Sequence, residues 1–496
     1  MINLSIKKLL TYGLEHNIVN PTDIAFIRNR IMEILQVSYY KEPEEEVKNP
    51  ELIQVLEEID DYAVNNKLIE NTQAARDLFD TKLMAALMPM PHEVVDNFKK
   101  LYRISAKKAA GWYYKFCQDT NFIRRNRISK DTHWAIPSKY GRLELLISVS
   151  KPEYDPKELK ENQKSEHDTY PKCRLCAENM GYAGRTDYPA LQNMRTIPIT
   201  LNKETWYFNY SPYRYFNEHF IASNSEHKPL KINNQLFMKM FELLNMFPQY
   251  FVGANADLPI VGGSVISHEH IIGGGYDFAI NRADVQKRFT IKRFEDVQSG
   301  ILNWPVSSIR LKHTDYKWLC HCAEHILKTW QSYTDEDSNI YDFSGGVPHN
   351  SITSVIRKTG DIYEMDLILR NNRTTEEYPF GVFHINHEQH HIKKENLGLV
   401  EVMGLAVLPA RLEEELKCVA QKILNGEDLR EDETTAKHAD WVDNFILEYD
   451  DISDDNITEI LQNEVGKEYL KMLESAAVFK QDEQGQEAFD KFINSL

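Results

Sequence analysis

Gly262-Gly263-Ser264-Val265-Ile266-Ser267-His268-Glu269-His270-Ile271-Ile272-Gly273-Gly274-Gly275 is the stretch that decides how this chain is read. Val265, Ile266, Ile271 and Ile272 favour extended backbone and glycines bracket the run, which predicts a short buried strand entered and left by tight turns. Alternate residues of a strand share a face. His268 and His270 therefore point the same way, about 7 Å apart, while Glu269 faces the opposite side. The glycines leave the backbone open to a ligand and can present N–H groups to an anion. Two readings of the His-x-His pair stand: hydrogen-bonded histidines on a strand edge, or a metal ligand beside a nucleophile or base.

The 496 residues are enough for two or three domains and a large core. A formal net charge of −17 argues against nucleic acid as the partner, because phosphate neutralisation needs a basic surface. A small phosphorylated substrate needs only a few local donors and stays open. No apolar run is long enough to cross a bilayer, and Met1 to Lys8 lacks the apolar core of a signal peptide, so a cytoplasmic location is expected. Six cysteines in so long a chain are no disulfide framework, and a close pair in a reducing compartment points to metal.

The remaining chain is predicted in four parts: an N-terminal helical region over 1–128, a half over 129–280, a second half over 281–420 and an acidic helical tail over 421–496. In the first, Ile24, Ile27, Ile31, Ile34 and Leu35 recur at helical spacing, and Ser105 opens a helix with Ala109, Trp112, Tyr113 and Phe116. Met84 to Met90 reads as core filling, and Arg124, Arg125 and Arg127 read first as a solvated turn and second as a phosphate contact. Strand-like runs follow at Leu143–Val149, Glu204–Tyr210 and Tyr215–Ala222, with a charged linker from Lys151 to His167. A helix over Asn234–Met246 precedes the central stretch. The second half repeats the order, with a helix over Tyr316–Trp330 and strands at Ser351–Val355, Tyr363–Leu369 and Gly381–His387, the last in the place of 268–270. Leu399–Met403 reads as a strand carrying Glu401. Helices are expected over Leu416–Leu424, Trp441–Leu447 and Ile457–Phe479. Cys173-x-x-Cys176 has the spacing of a zinc knuckle that lacks its other two ligands.

These blocks together resemble a known family. Tyr170-Pro171-Lys172-Cys173-x-x-Cys176, Gly181-Tyr182-Ala183-Gly184-Arg185, Tyr215-Phe216-Asn217-Glu218-His219 and Asn255-Ala256-Asp257-Leu258-Pro259-Ile260-Val261-Gly262-Gly263-Ser264 with His268-Glu269-His270 are similar to the firmicute-type (class II) hexose-1-phosphate uridylyltransferases. So are Pro348-His349-Asn350-Ser351-Ile352-Thr353, Leu369-Arg370-Asn371-Asn372-Arg373 through Pro379, and His391-Ile392-Lys393-Lys394-Glu395-Asn396. The resemblance implies an α+β fold of two histidine-triad-like halves, antiparallel sheets with packed helices, flanked by the helical region and tail. It also implies a homodimer.

The activity implied is a ping-pong transfer of UMP from UDP-glucose to galactose 1-phosphate, in galactose metabolism. His270 matches the nucleophile that carries the uridylyl group; its attacking nitrogen must be unprotonated, so the other should donate to an acceptor. Cys173, Cys176, His227 and His268 stand in the order of the superfamily's zinc ligands, implying one structural zinc. Asn217, Asn255 and Ser264 match nucleotide or phosphate contacts, Glu401 a partner for sugar hydroxyls, and Arg370, Arg373, Lys393 and Lys394 sources of charge for phosphates. Two positions depart from the pattern: Ile272 stands where the family has a glutamine, and His384-Ile385-Asn386 where the second half has His-Pro-His. The first departure keeps a weakly active or non-catalytic nucleotide-sugar binder open, beside a related phosphorylase or hydrolase. A metalloprotease is excluded, since a strand cannot place ligands as the helical HExxH pair does.

Overall fold

The computed structural model describes residues 2–149, 170–185 and 188–496, so the charged linker expected from Lys151 to His167 lies outside the described residues. The chain is mixed helix and strand and divides into two compact units. Among the described residues no helix is long and apolar enough to cross a membrane.

The first unit opens with α1 (Ile2–Glu15), α2 (Ile24–Ile34), α3 (Leu52–Asn65), α4 (Gln73–Leu87), α5 (Pro91–Tyr102) and α6 (Ala106–Asp119). Their starts are written in side chains: Thr72 accepts from the N–H of Ala75 and Ser105 from that of Lys108, each satisfying a donor the helix leaves free. Ile6, Ile31, Ile59, Leu83 and Met84 close one core between α1, α2, α3 and α4. The methionine run leaves that core at Met90, which is 60% exposed just before α5. The basic knot is not a solvated turn. Arg124 donates to the Asp77 carboxylate at 3.0 Å, to the Asp77 carbonyl at 3.0 Å and to Thr81 Oγ1 at 3.2 Å, and Arg127 pairs with the same carboxylate. Asp77 on α4 thus takes up the charge that sequence alone leaves to water.

Three antiparallel strands complete this unit, Ile197–Leu201, Glu204–Tyr210 and Phe220–Asn224. Trp206, Phe208 and Tyr210 alternate into its interior and are fully buried. The third strand begins five residues later than Tyr215, because Asn217 and Glu218 turn the chain, Glu218 at φ 53°.

In the second unit β1 (Thr132–Ser138) pairs antiparallel with β2 (Gly141–Ser148). Then come α7 (Asn234–Met246), β3 (Phe251–Ala254), β4 (His270–Gly274), β5 (Val285–Phe289), β6 (Gln298–Leu302), β7 (Ser308–His313), α8 (Tyr316–Gln331), β8 (Asn350–Thr359) and β9 (Ile362–Asn371). The antiparallel order is β4-β3-β8-β9-β7-β6-β5. α7 leads to the β3/β4 pair and α8 to the β8/β9 pair, and β3 meets β8 edge to edge through Val252↔Ile356 and Ala254↔Ser354. The repeat is therefore real, but its parts differ from the expectation. The strand that follows α8 and β8 is β9, and residues 381–387 form no strand. Phe383 and Ile385 alternate as strand residues do because both are buried, yet a turn at Tyr378 to Gly381, the glycine at φ 125°, sets them off from any ladder.

Glu401 also changes element. Leu399–Val402 is a helical turn, α9, because Glu401 Oε2 accepts from the Gly398 N–H at 2.9 Å and caps it. β10 (Leu405–Pro409) follows and pairs parallel with β2. α10 (Arg411–Asn425), α11 (Ala439–Phe445) and α12 (Ile457–Ser475) then pack Leu412, Trp441, Phe445, Tyr469 and Leu473 into the cluster that holds Leu145 and Val407.

Candidate functional site

β4 starts at His270, and its pairing with β3 aligns Gly253 with Ile272, Val252 with Gly273 and Phe251 with Gly274. A side chain at 274 is excluded: a Cβ there would meet Phe216 Cε2 at 2.6 Å and the Glu218 carbonyl at 2.8 Å. The His270 ring is 5% exposed, and its Nδ1 lies 2.8 Å from the His268 carbonyl oxygen. A carbonyl only accepts, so Nδ1 carries the proton and Nε2 keeps its lone pair. Burial pushes the imidazole down to about 4, against the opposing pull of that hydrogen bond. The ring is neutral near pH 7, with one nitrogen free to attack an electrophile. The acceptor that the sequence left open is thus the carbonyl two residues upstream. Glu269 is buried and meets Lys239 of α7 at 2.8 Å. Ile272 is half-buried and, like Tyr215 and Tyr276, packs against the edge of the core.

Cys173 and Cys176 lie on a turn with their sulfurs 3.6 Å apart, and His227 Nδ1 is 3.2 Å from Cys176 Sγ. Two thiolates on one tetrahedral zinc, at bond lengths of about 2.3 Å, stand roughly 3.8 Å apart. The Cys173 thiol is held below its ordinary range, first by the hydrogen bond from Cys176. The ligand atoms of Cys173, Cys176, His227 and His268 lie within 4.8 Å of one another, a group that can hold a metal ion. Two sulfurs and two imidazoles are a donor set that suits zinc.

The other candidates differ in how far they are buried. Asn217 is exposed, with its carbonyl accepting from the Gly275 N–H at 3.0 Å, and Ser264 and Lys394 are exposed as well. Arg373 is half-buried with its guanidinium 4.3 Å from the Tyr341 ring centre. By contrast, Asn255 is buried, its Oδ1 accepting from the Leu399 N–H at 2.7 Å. A Cβ at Gly263 would come within 2.7 Å of Asn255 Nδ2, so this glycine makes room for the amide. Arg370 is 2% exposed, donates to the Leu397 carbonyl at 3.1 Å, and is pushed down to about 10 by burial. Lys393 is buried against Glu395 at 3.0 Å, Glu401 at 3.3 Å and the Val407 carbonyl at 3.1 Å. Arg370, Lys393 and Glu401 therefore turn polar atoms to the interior around α9, although the buried Nε of Arg370 meets no hydrogen-bond partner there.

Two polar clusters escaped the sequence reading. Buried His349 has both ring nitrogens engaged, Nε2 with Ser344 Oγ at 2.6 Å and Nδ1 with Asn372 Oδ1 at 2.9 Å. Its block carried the resemblance, but nothing local announced the partners. Tyr276 donates to Glu144, which also meets His133 Nε2 at 3.1 Å. Those residues are too far apart in sequence for spacing to reveal them.

Residues 18–229 match the family described as galactose-1-phosphate uridyl transferase, N-terminal domain, and residues 242–443 match its C-terminal domain. A galactose-1-phosphate uridylyltransferase of Clostridium acetobutylicum is 45% identical over 498 residues, covering 100% of both chains. One of Fusobacterium nucleatum is 43% identical, covering 99% of this chain and 98% of its own, and one of Bacillus subtilis is 40% identical, covering 99% and 97%. Among solved structures, yeast Ap4A phosphorylase aligns over 61% of this chain and 90% of its own at 10% identity and a TM-score of 0.33. With both domain descriptions matched in order and relatives aligned end to end, the chain belongs to the galactose-1-phosphate uridylyltransferase family.

Proposed function

We propose that this protein is a UDP-glucose–hexose-1-phosphate uridylyltransferase that works through a uridylyl-His270 intermediate. One observation carries the reading: a buried, neutral imidazole whose Nδ1 proton is taken up by a backbone carbonyl, leaving Nε2 as the nucleophile. Nε2 attacks the α-phosphorus of UDP-glucose, the bond from that phosphorus to the bridging oxygen breaks, and glucose 1-phosphate leaves with the electron pair. The imidazolium that forms keeps its Nδ1–H on the His268 carbonyl, where the hydrogen bond strengthens as charge develops. A phosphate oxygen of galactose 1-phosphate then attacks the same phosphorus, UDP-galactose departs, and His270 returns to its neutral form. Asn217, Asn255, Ser264, Arg370, Arg373, Lys394 and Glu401 are the residues assigned to the two substrates. The exposed members suit direct contact, and the buried Asn255, Arg370 and Glu401 suit shaping the wall.

Isotope exchange tests the scheme. Labelled glucose 1-phosphate should enter UDP-glucose with no galactose 1-phosphate present, because the first half-reaction is complete by itself. Exchange that requires the second sugar phosphate contradicts a covalent intermediate.

Zinc is assigned to Cys173, Cys176, His227 and His268, where it supplies structural cross-linking. A protein-to-zinc ratio near one by elemental analysis, lost on Cys173→Ser, is the expected result. The protein is assigned to the cytoplasm and to a homodimer.

A second reading rests on Ile272. The family glutamine would hydrogen-bond the uridylyl phosphate, and such a bond to a charged group is worth about 1.5–3 kcal/mol. Its loss slows transfer by roughly one to two decades, which leads toward a weak enzyme or a nucleotide-sugar binder.

A further inference from the structure

Lys239 sits in the middle of α7 among Leu236, Phe237, Met240 and Leu243, all buried, and is itself only 2% exposed. A cation on the apolar face of a helix is costly unless a carboxylate meets it, and such pairs contribute more to a single geometry than to stability. Its carboxylate is Glu269, 6% exposed, at 2.8 Å. Lys228 Nζ approaches the other oxygen of Glu269 at 3.5 Å. The residue between the two histidines is thus anchored from the helix side.

What that anchor holds is one peptide group. The Glu269 N–H donates to the Lys228 carbonyl at 2.6 Å. The carbonyl of the same peptide, that of His268, accepts from His270 Nδ1 at 2.8 Å. The two bonds share a plane that cannot turn at one end without turning at the other. Each polarises the next, so the peptide is a better acceptor with the Lys228 carbonyl in place. β4 itself begins only at His270, downstream of this peptide.

We propose that the buried Lys239–Glu269 ion pair is the positioning device of the nucleophile, fixing the His268–Glu269 peptide and with it the carbonyl that holds the Nδ1 proton of His270. Lys239 and Glu269 are positioning residues and touch no reacting atom. The proposal rests on His270 being the nucleophile. Without the pair the peptide is free to turn, the carbonyl leaves Nδ1, and the proton redistributes onto Nε2, which then cannot attack.

The test compares wild type with Glu269→Gln and with the uncharged double variant Lys239→Met/Glu269→Leu, which strands neither charge in the interior. In protein labelled with ¹⁵N-histidine, the ring shifts of His270, assigned through His270→Ala, report the tautomer. Single-turnover loading with UDP-glucose gives the rate of the chemical step, and titration with UDP-glucose gives its Kd. The expected result is a mixed tautomer and loading slowed by roughly 10²-fold, the usual cost of a misplaced reacting group, with Kd unchanged. A purely structural role would leave the tautomer where it is in wild type. Retention of the Nδ1–H form and of the wild-type loading rate in either folded variant overturns the proposal. If wild type itself takes up no UMP, the functional reading fails, while the tautomer comparison still decides whether the ion pair positions the ring.

Discussion

The two helix-strand-strand repeats of the second unit use the same local plan for opposite ends. β8 and β9 pair at ten positions from Asn350↔Asn371 to Thr359↔Ile362, whereas β3 and β4 pair at three. β9 also carries Asp366, fully buried between Arg310 at 2.7 Å and Arg357 at 2.8 Å. Burial alone would raise that carboxyl, but the two guanidiniums outweigh it and hold it below the ordinary carboxylate range. One repeat is thus a long, charge-locked ladder. The other is short and glycine-rich, and its last strand opens on His270, the proposed nucleophile, whose Nδ1 lies 2.8 Å from the His268 carbonyl oxygen.

The sharpest way to break this comparison is to remove the working residue of each repeat in turn. His270→Ala is expected to abolish uridylyl transfer while leaving the midpoint of urea unfolding within experimental error. Asp366→Asn should do the reverse. It removes the buried charge between Arg310 and Arg357, leaving them only Glu364, at 3.8 Å and 2.8 Å, and costs up to about 3–5 kcal/mol of stability. The molecules that remain folded should load UMP at the wild-type rate. A destabilised His270→Ala, or an Asp366→Asn protein that is stable and inactive, would erase the division of labour.

Smaller changes sharpen it. Ile272→Gln returns the family's hydrogen-bond donor beside the nucleophile and is expected to raise the rate of transfer by roughly 10- to 100-fold. No gain would mean that the site, with Ile272 packed against the core, holds the phosphate another way.

Acid gives the gentlest probe. His391 meets His438 at 2.8 Å, His438 meets Glu415 at 3.0 Å, and Glu415 also binds Arg411 at 2.7 Å and Lys437. Burial pushes His391 down to about 3, helped by the neighbouring His438, Arg411 and Lys437. Burial opposes Glu415, but His438, Lys437 and Arg411 bring it to about 2. Both folded-state values lie below those of the unfolded chain, so the unfolded form binds more protons and acid favours it. The contribution of His391 is complete above its unfolded value near 6.5 and declines as pH falls toward 3. That of Glu415 declines from about 4.5 toward 2. Tryptophan fluorescence of Trp441, which packs on His391, should therefore report loosening of α11 as pH drops below about 6. A flat signal down to pH 4 would contradict this linkage between protonation and the packing of α11.

Much of this arrangement was legible before any coordinates. α7 and α8 follow from apolar spacing, because both bury one face against a sheet. Cys173 and Cys176 announced themselves by spacing, His227 and His268 were added only by the family resemblance, and the ligand atoms of all four lie within 4.8 Å of one another. The errors share a cause. Residues 381–387 and 399–403 have the apolar pattern of strands because they are buried. What denies them that structure is a turn at Gly381 in one case and the Glu401 cap in the other, local hydrogen bonds that a count of apolar residues does not weigh. Arg370 and Lys393 looked available to phosphate because sequence shows charge and not burial, and both lie inside. Tyr276 with Glu144 could not be foreseen at a separation of 132 residues.

The most direct test of the covalent account is the intact mass of the protein after incubation with UDP-glucose, followed by peptide mapping. The result predicted is a gain of one uridylyl group on the peptide containing His270, absent in His270→Ala and removed by galactose 1-phosphate. A folded wild type that binds UDP-glucose and gains no mass, or carries the group on another residue, would contradict it.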